Sequence, residues 1–130
     1  MPAGRWLIET TILVDVLRDR SAAIAWVNSV PPRGRCASVI SYFELLAGCR
    51  NRREQQIVAR EMRMYRLLLL TERGSRTALS WYRRFSLSHG VGFLDTLIGA
   101  TALHNGLVLA TLNDKHFEPL AGLRVERPYE

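Results

Sequence analysis

The sequence predicts an α/β fold in which a parallel sheet is covered on both faces by helices. Short apolar runs of strand length alternate with helix-length segments along the whole chain. Its 130 residues are one domain's length, so residues 1–130 are expected to form a single domain. Composition agrees, with 48% hydrophobic and 23% charged residues, and no apolar stretch nears the roughly 18 residues of a membrane span.

Residues 6–8, Trp-Leu-Ile, read as a buried first strand. Apolar residues at helical spacing predict a helix over 11–17, ending in the charged run Arg18-Asp19-Arg20. A second helix over 22–29 is stopped by Pro31-Pro32-Arg33-Gly34. Residues 35–40 form the second strand, followed by a helix over 41–47 with Gly48 as its cap. Residues 51–65 read as a charged amphipathic helix, and the apolar run in 66–70 as a buried third strand. The next helix, 76–87, closes at the turn Ser88-His89-Gly90. Residues 93–104 are helical, with Asn105-Gly106 as the stop signal. A fourth strand follows at 107–110, and 123–126 is the candidate fifth.

The net charge is +6, and seventeen of the eighteen basic residues are arginine. Arginine forks suit phosphate, so the balance points to a polyanionic or acidic partner. Arg50, Arg52 and Arg53 are candidates to guide a nucleic-acid backbone. Arg60, Arg63 and Arg66 recur every three residues and are expected to share a broad helical face. Cys36 and Cys49 lack metal-ligand spacing and read as free thiols of a reducing compartment. Met1-Pro2-Ala3-Gly4-Arg5 runs into an apolar segment broken at Glu9, which does not read as a signal peptide. A cytoplasmic location is therefore expected. GxxxxGK[ST], GxGxxG and GxSxG are all absent, which removes the signatures of nucleotide-dependent and serine-hydrolase chemistry. His89, His104 and His116 are scattered and read as surface or turn histidines, with His116 close in sequence to Asn113-Asp114.

Three of the twelve acids sit in apolar company: Glu9 after Trp6-Leu7-Ile8, Glu44 within Tyr42-Phe43-Glu44-Leu45-Leu46, and Asp95 within Phe93-Leu94-Asp95-Thr96-Leu97. Asn113-Asp114 follows the fourth strand. Each has a structural explanation alone, as a strand end, an arginine partner, a first-turn helix acid or a turn. In open parallel sheets, however, the ligand crevice lies outside the carboxyl ends of the strands, where these residues are expected to gather. Acids crowded in a partly dry crevice repel one another and require a cation or shared protons. Oxygen ligands without a cysteine or histidine cluster favour a hard cation, Mg²⁺ or Mn²⁺.

At these residues the chain resembles the PIN-domain family, specifically the VapC-type toxins of bacterial toxin–antitoxin pairs. The resemblance rests on Leu7-Ile8-Glu9-Thr10-Thr11-Ile12-Leu13-Val14-Asp15, Ala37-Ser38-Val39-Ile40-Ser41-Tyr42-Phe43-Glu44-Leu45-Leu46-Ala47-Gly48, Asp95-Thr96-Leu97-Ile98-Gly99-Ala100-Thr101-Ala102-Leu103 and Leu109-Ala110-Thr111-Leu112-Asn113-Asp114-Lys115-His116-Phe117, with Gly122-Leu123-Arg124-Val125 fitting the tail. It implies a PIN-like three-layer fold with a five-stranded parallel sheet, and metal-dependent phosphodiester cleavage of an RNA substrate. A cognate antitoxin and a homodimer are implied as partners. Glu9, Glu44 and Asp95 would hold Mg²⁺, with Mn²⁺ as a substitute. Thr10 or Thr11 would orient a carboxylate, contact phosphate or cap the first helix. Asn113 and Asp114 would complete the catalytic set at the rim. Two positions depart from the family pattern: Glu9 stands where aspartate is usual, and Asn113 where the fourth acid falls. Both lower the catalytic competence expected, so a catalytically weakened RNA- or antitoxin-binding module is the alternative.

Overall fold

The computed structural model describes residues 4–130; Met1-Pro2-Ala3, from the opening run considered for a signal peptide, lie outside the described residues. Five strands, β1 (Trp6–Ile8), β2 (Arg35–Ser38), β3 (Arg66–Leu68), β4 (Val108–Ala110) and β5 (Val125–Glu126), pair in the order β3-β2-β1-β4-β5, every pair parallel. Period-two alternation divides their side chains between two cores. Leu7, Cys36, Leu68 and Leu109 face one core with Ala78, Trp81, Ile98 and Phe117. Trp6, Ile8, Ala37 and Ala110 face the other with Leu13, Val27, Leu45 and Met62. Helices α1 (Thr10–Leu17), α2 (Ser21–Ser29), α3 (Val39–Ala47) and α4 (Arg52–Met62) supply the second core. Helices α5 (Glu72–His89), α6 (Phe93–His104) and the short α7 (Asp114–Phe117) supply the first. The result is the expected α/β sandwich of helix, parallel sheet and helix.

Side-chain caps decide where several helices begin, and that shifts their ends from the sequence expectation. The Glu9 side chain accepts the Thr11 N–H, so α1 starts at Thr10 rather than 11. Ser38 caps α3 through the Ile40 N–H, which ends β2 two residues before the expected 40. Thr71 caps α5 through the Gly74 N–H, so α5 begins at Glu72 rather than 76. It runs through His89 and stops at Gly90, whose φ of 65° is left-handed and open to glycine without strain.

Two corrections concern the middle of the chain. Helix α4 ends at Met62, not 65, so Arg63 lies in its cap and Arg66 on β3; the three arginines share no helical face. Strand β3 is an edge strand, not a buried one. Leu68 alone points into a core, while Leu67, Leu69 and Leu70 are exposed, Leu69 to 64%. Its apolar run predicted burial, but only one flank of β3 has a neighbouring strand.

Helix α6 carries Asp95 in its first turn, so its seating sets where that acid stands. At Gly99 the absent side chain admits Leu120 and Trp81: an added Cβ would lie 2.9 Å from Leu120 and 3.4 Å from Trp81. This close approach seats α6 against its neighbours and fixes the position of its N-terminus.

Candidate active site

Strand order reverses between β1 and β4, so the crevice of an open parallel sheet falls outside their carboxyl ends. Glu9 and Thr111 occupy those ends. Glu9 is 4% exposed and Thr111 is fully buried. One carboxylate oxygen, Glu9 Oε1, accepts three hydrogen bonds: from the Thr11 N–H at 3.2 Å, the Thr11 hydroxyl at 2.6 Å and the Thr111 hydroxyl at 2.6 Å. The two threonine oxygens then accept backbone N–H groups of the loop after β4, Leu112 at Thr11 and Asn113 at Thr111. Glu9 thus ties the start of α1 to the β4–α7 loop. Charge-assisted bonds of this kind are the stronger class, and a buried carboxylate depends on them.

Glu44 and Asp95 are arranged differently. Glu44, half-buried on α3, accepts the Thr10 hydroxyl at 2.7 Å on Oε1, and Thr10 Oγ1 lies 2.7 Å from the Ser41 hydroxyl. The single Thr10 proton goes to the carboxylate, so Ser41 supplies the second bond. Asp95 stands in the first turn of α6, where the helix dipole favours its charge. Burial nevertheless dominates and raises its pKa; the nearby Glu44 carboxylate raises it further, while His116 opposes both. His116 Nδ1 lies 3.6 Å from Asp95 Oδ2 and pairs with it when protonated. An acid whose charge is disfavoured by burial, with a second carboxylate nearby, gains from a cation.

Asn113 is exposed at the start of α7, and its side chain makes no capping bond. Asp114 lies 3.6 Å from the Arg127 guanidinium, which also donates to the Leu112 carbonyl. Both residues follow the carboxyl end of β4, where the Asn113 N–H is tied to Thr111. Among the described residues no group of three His, Cys, Asp or Glu side chains converges to hold a metal. Of the three acids proposed from sequence, Glu44 lies near enough to Asp95 to act on its charge, and Glu9 is turned onto the threonines. An oxygen-only pair still fits a hard cation, since Mg²⁺ is commonly held by one or two carboxylates and keeps several waters. In its observed conformation Glu9 does not fit as a third ligand through Oε1, which is saturated.

The sequence pattern gave no role to Thr111 or Ser41, although both lie inside the segments that carry the family resemblance. The available signal was a hydroxyl residue ending an apolar strand or sitting one turn before an apolar-flanked acid. Arg50 is also accounted for: it pairs with Glu54 at 2.8 Å, which raises the arginine pKa and lowers that of the acid.

A parallel sheet covered on both faces, with carboxylates outside its switch point, defines this protein as an open-sheet α/β domain with an acidic crevice. The chain belongs to the PIN-domain family, whose profile matches residues 6–123. It is similar to Ribonuclease VapC10 of Mycobacterium tuberculosis, at 39% identity over 113 residues covering 85% of this chain and 84% of the relative. Ribonuclease VapC19 of the same organism is 38% identical over 116 residues, covering 85% and 90%. Among solved structures, a toxin–antitoxin complex from Klebsiella pneumoniae holds a chain with a TM-score of 0.79 and 25% identity, covering 95% of this chain and 98% of that one. Among the described residues no helix is long and apolar enough to cross a membrane.

Proposed function

We propose that residues 1–130 act as one PIN domain, the toxin of a type II toxin–antitoxin pair, and cleave RNA phosphodiester bonds as a cytoplasmic endoribonuclease. The observation that carries this reading is the 38–39% identity to two ribonucleases over most of the chain, with Glu44 held through Thr10 beside the switch point of the sheet. A cognate antitoxin and a second copy of the chain are the expected protein partners.

Glu44 and Asp95 would hold the divalent cation, Mg²⁺ with Mn²⁺ as a substitute, and in its observed conformation Glu9 would join them only through Oε2, the oxygen the threonines leave free. When bound, the cation would neutralise charge on the scissile phosphate and make a bound water more acidic. The chain's own residues prepare the place. Thr10, steadied by Ser41, fixes the Glu44 carboxylate in one orientation. Packing around Gly99 fixes Asp95, and burial keeps water from weakening its electrostatic interactions. Asn113 and Asp114 shape the rim across which RNA enters.

The test is cleavage of a panel of folded RNAs by the purified chain in Mg²⁺ or Mn²⁺, with an EDTA control. Asp95→Asn and Glu44→Gln should abolish cleavage and leave the fold intact. The alternative, a catalytically weakened module that binds RNA or antitoxin, is favoured by the saturated Oε1 of Glu9. It predicts RNA binding with no cation-dependent cleavage. Co-expression with the gene immediately upstream should yield a complex with suppressed nuclease activity.

A further inference from the structure

Arg35 opens β2 and is 8% exposed, the one basic side chain that the fold buries among the described residues. Its Nε donates to the Val30 carbonyl at 2.8 Å. Among the described residues its two Nη groups have no hydrogen-bond partner, and no carboxylate lies within ion-pair distance of them. Nor are they sealed in protein, since the single enclosed side-chain donor left without a partner among the described residues is Trp6 Nε1. The Nη groups therefore reach open space, and Arg35 lines a pocket of about 250 Å³. A guanidinium taken so far out of water is costly unless something accepts from its fork.

The pocket is remote from the candidate active site. Parallel register sets Arg35 beside Trp6, the first residue of β1, whereas Glu9 and Thr111 follow the last residues of β1 and β4. Its other walls come from the end of α1, from α2 and from the turn between α4 and β3. Ile24 and Val27 of α2 give it an apolar side. Two carboxylates also line it, Asp19 and Glu61. Glu61 accepts the Tyr65 hydroxyl at 2.8 Å. Among the described residues neither acid has a basic partner.

One small space thus holds an unpaired cation, two unpaired anions and an apolar wall. Pockets for drug-sized molecules begin near about 300 Å³, so this volume suits a smaller metabolite. A guanidinium fork takes a carboxylate through two parallel bonds. The two acids repel a phosphate or a polyanion and attract an ammonium. In a peptide those two charges sit on different residues; a free amino acid carries both on one carbon. We propose that this pocket binds a free aliphatic α-amino acid, with its carboxylate on Arg35, its ammonium beside Asp19 and Glu61, and its side chain on Ile24 and Val27. The site does not depend on the ribonuclease reading, because none of its residues takes part in that chemistry.

The probe is L-leucine, titrated into the full chain with isotope-labelled methyl groups and followed by NMR. The Ile24 and Val27 methyls should shift and saturate, while Ile98, fully buried in the other core, stays still. Two analogues divide the ligand: isocaproate is leucine without its ammonium, and isoamylamine is leucine without its carboxylate. Each should bind about tenfold more weakly than L-leucine, the worth of one charge-assisted contact. The double variant Asp19→Asn/Glu61→Gln should bring L-leucine down to the level of isocaproate. Asparagine tolerates the left-handed backbone of Asp19, at φ 59°, and glutamine can still accept from Tyr65, so this variant should fold. Arg35→Met should abolish L-leucine binding, and Arg35→Lys, which keeps the charge without the fork, should weaken it about tenfold. If an Arg35 variant fails to fold, the analogues and the double variant decide. Absence of L-leucine shifts at Ile24 and Val27 overturns the proposal. So does isocaproate binding as tightly as L-leucine, or a double variant with parental affinity, either of which would leave a plain carboxylate site. Inorganic phosphate binding more tightly at the same methyls would also overturn it and make Arg35 a phosphate contact.

Discussion

Glu9 and Asp95 stand at the same edge of the sheet and meet opposite surroundings. Glu9 is almost fully buried, yet three donors converge on one of its oxygens, and its environment is built for a carboxylate. Asp95 is less buried but has Glu44 nearby and a histidine 3.6 Å away, and its charge is disfavoured. The first acid is a fastening between α1 and the β4–α7 loop. The second is poised to gain from something positive. The difference teaches that depth of burial says little about a buried acid's task; the donors around it decide.

The largest effect should come from the open side. Asp95→Asn or Glu44→Gln is expected to lower cation-dependent RNA cleavage by about 100-fold or more, the order seen when a reacting centre is misplaced by about 1 Å. Circular dichroism should show an intact fold. Parental cleavage by either variant would remove that residue from the site.

Next comes the fastened side, read by stability. Thr111→Val leaves a buried carboxylate short of a charge-assisted bond and should cost about 2 kcal/mol, or roughly 8 °C in Tm. Thr10→Val, which removes the donor to the half-exposed Glu44, should cost about half as much and lower cleavage more than Thr111→Val does. Equal stability losses would erase the contrast between the two acids.

Glu9→Asp sharpens the comparison, because its side chain is shorter by one methylene, roughly 1.5 Å. It cannot keep every threonine bond, so Tm should fall by a few degrees. Freed from that role, the carboxylate can turn toward Glu44 and Asp95, and Mg²⁺-dependent cleavage and toxicity without antitoxin should both rise. Cleavage equal to or below the parental rate would mean that the site has adapted to glutamate.

The smallest effect is a pH dependence. The folded state raises the Asp95 pKa, so it holds that proton to higher pH than the unfolded chain. Stability therefore falls as pH rises through the range above the ordinary carboxylate pKa of about 3.9, and the full cost is present at neutral pH. Asp95→Asn should raise Tm at pH 7 by about a degree or two and lose that advantage near pH 4. Millimolar Mg²⁺ should stabilise the wild type and leave Asp95→Asn unchanged; melting curves at the two pH values check both.

Much of the fold was legible in the chain itself. Local pattern determined the strands, because an apolar run of three to five residues bounded by turn signals has few other uses. Helix α6 was expected over 93–104 and spans Phe93–His104, since Asn105-Gly106 ends it chemically. The apolar company of Glu9, Glu44 and Asp95 marked them as unusual, because a charge in such a segment needs a partner that sequence does not show. Tertiary structure alone decided what that partner is. Thr111 reaches Glu9 from 102 residues away, a contact that no spacing rule anticipates. The same holds for β3, whose leucines predict burial in one dimension and meet solvent because the sheet ends there. Periodicity reports which face of an element is apolar. Only the packed chain fixes which donors and charges lie opposite each acid, and those set whether it fastens the fold or awaits a ligand.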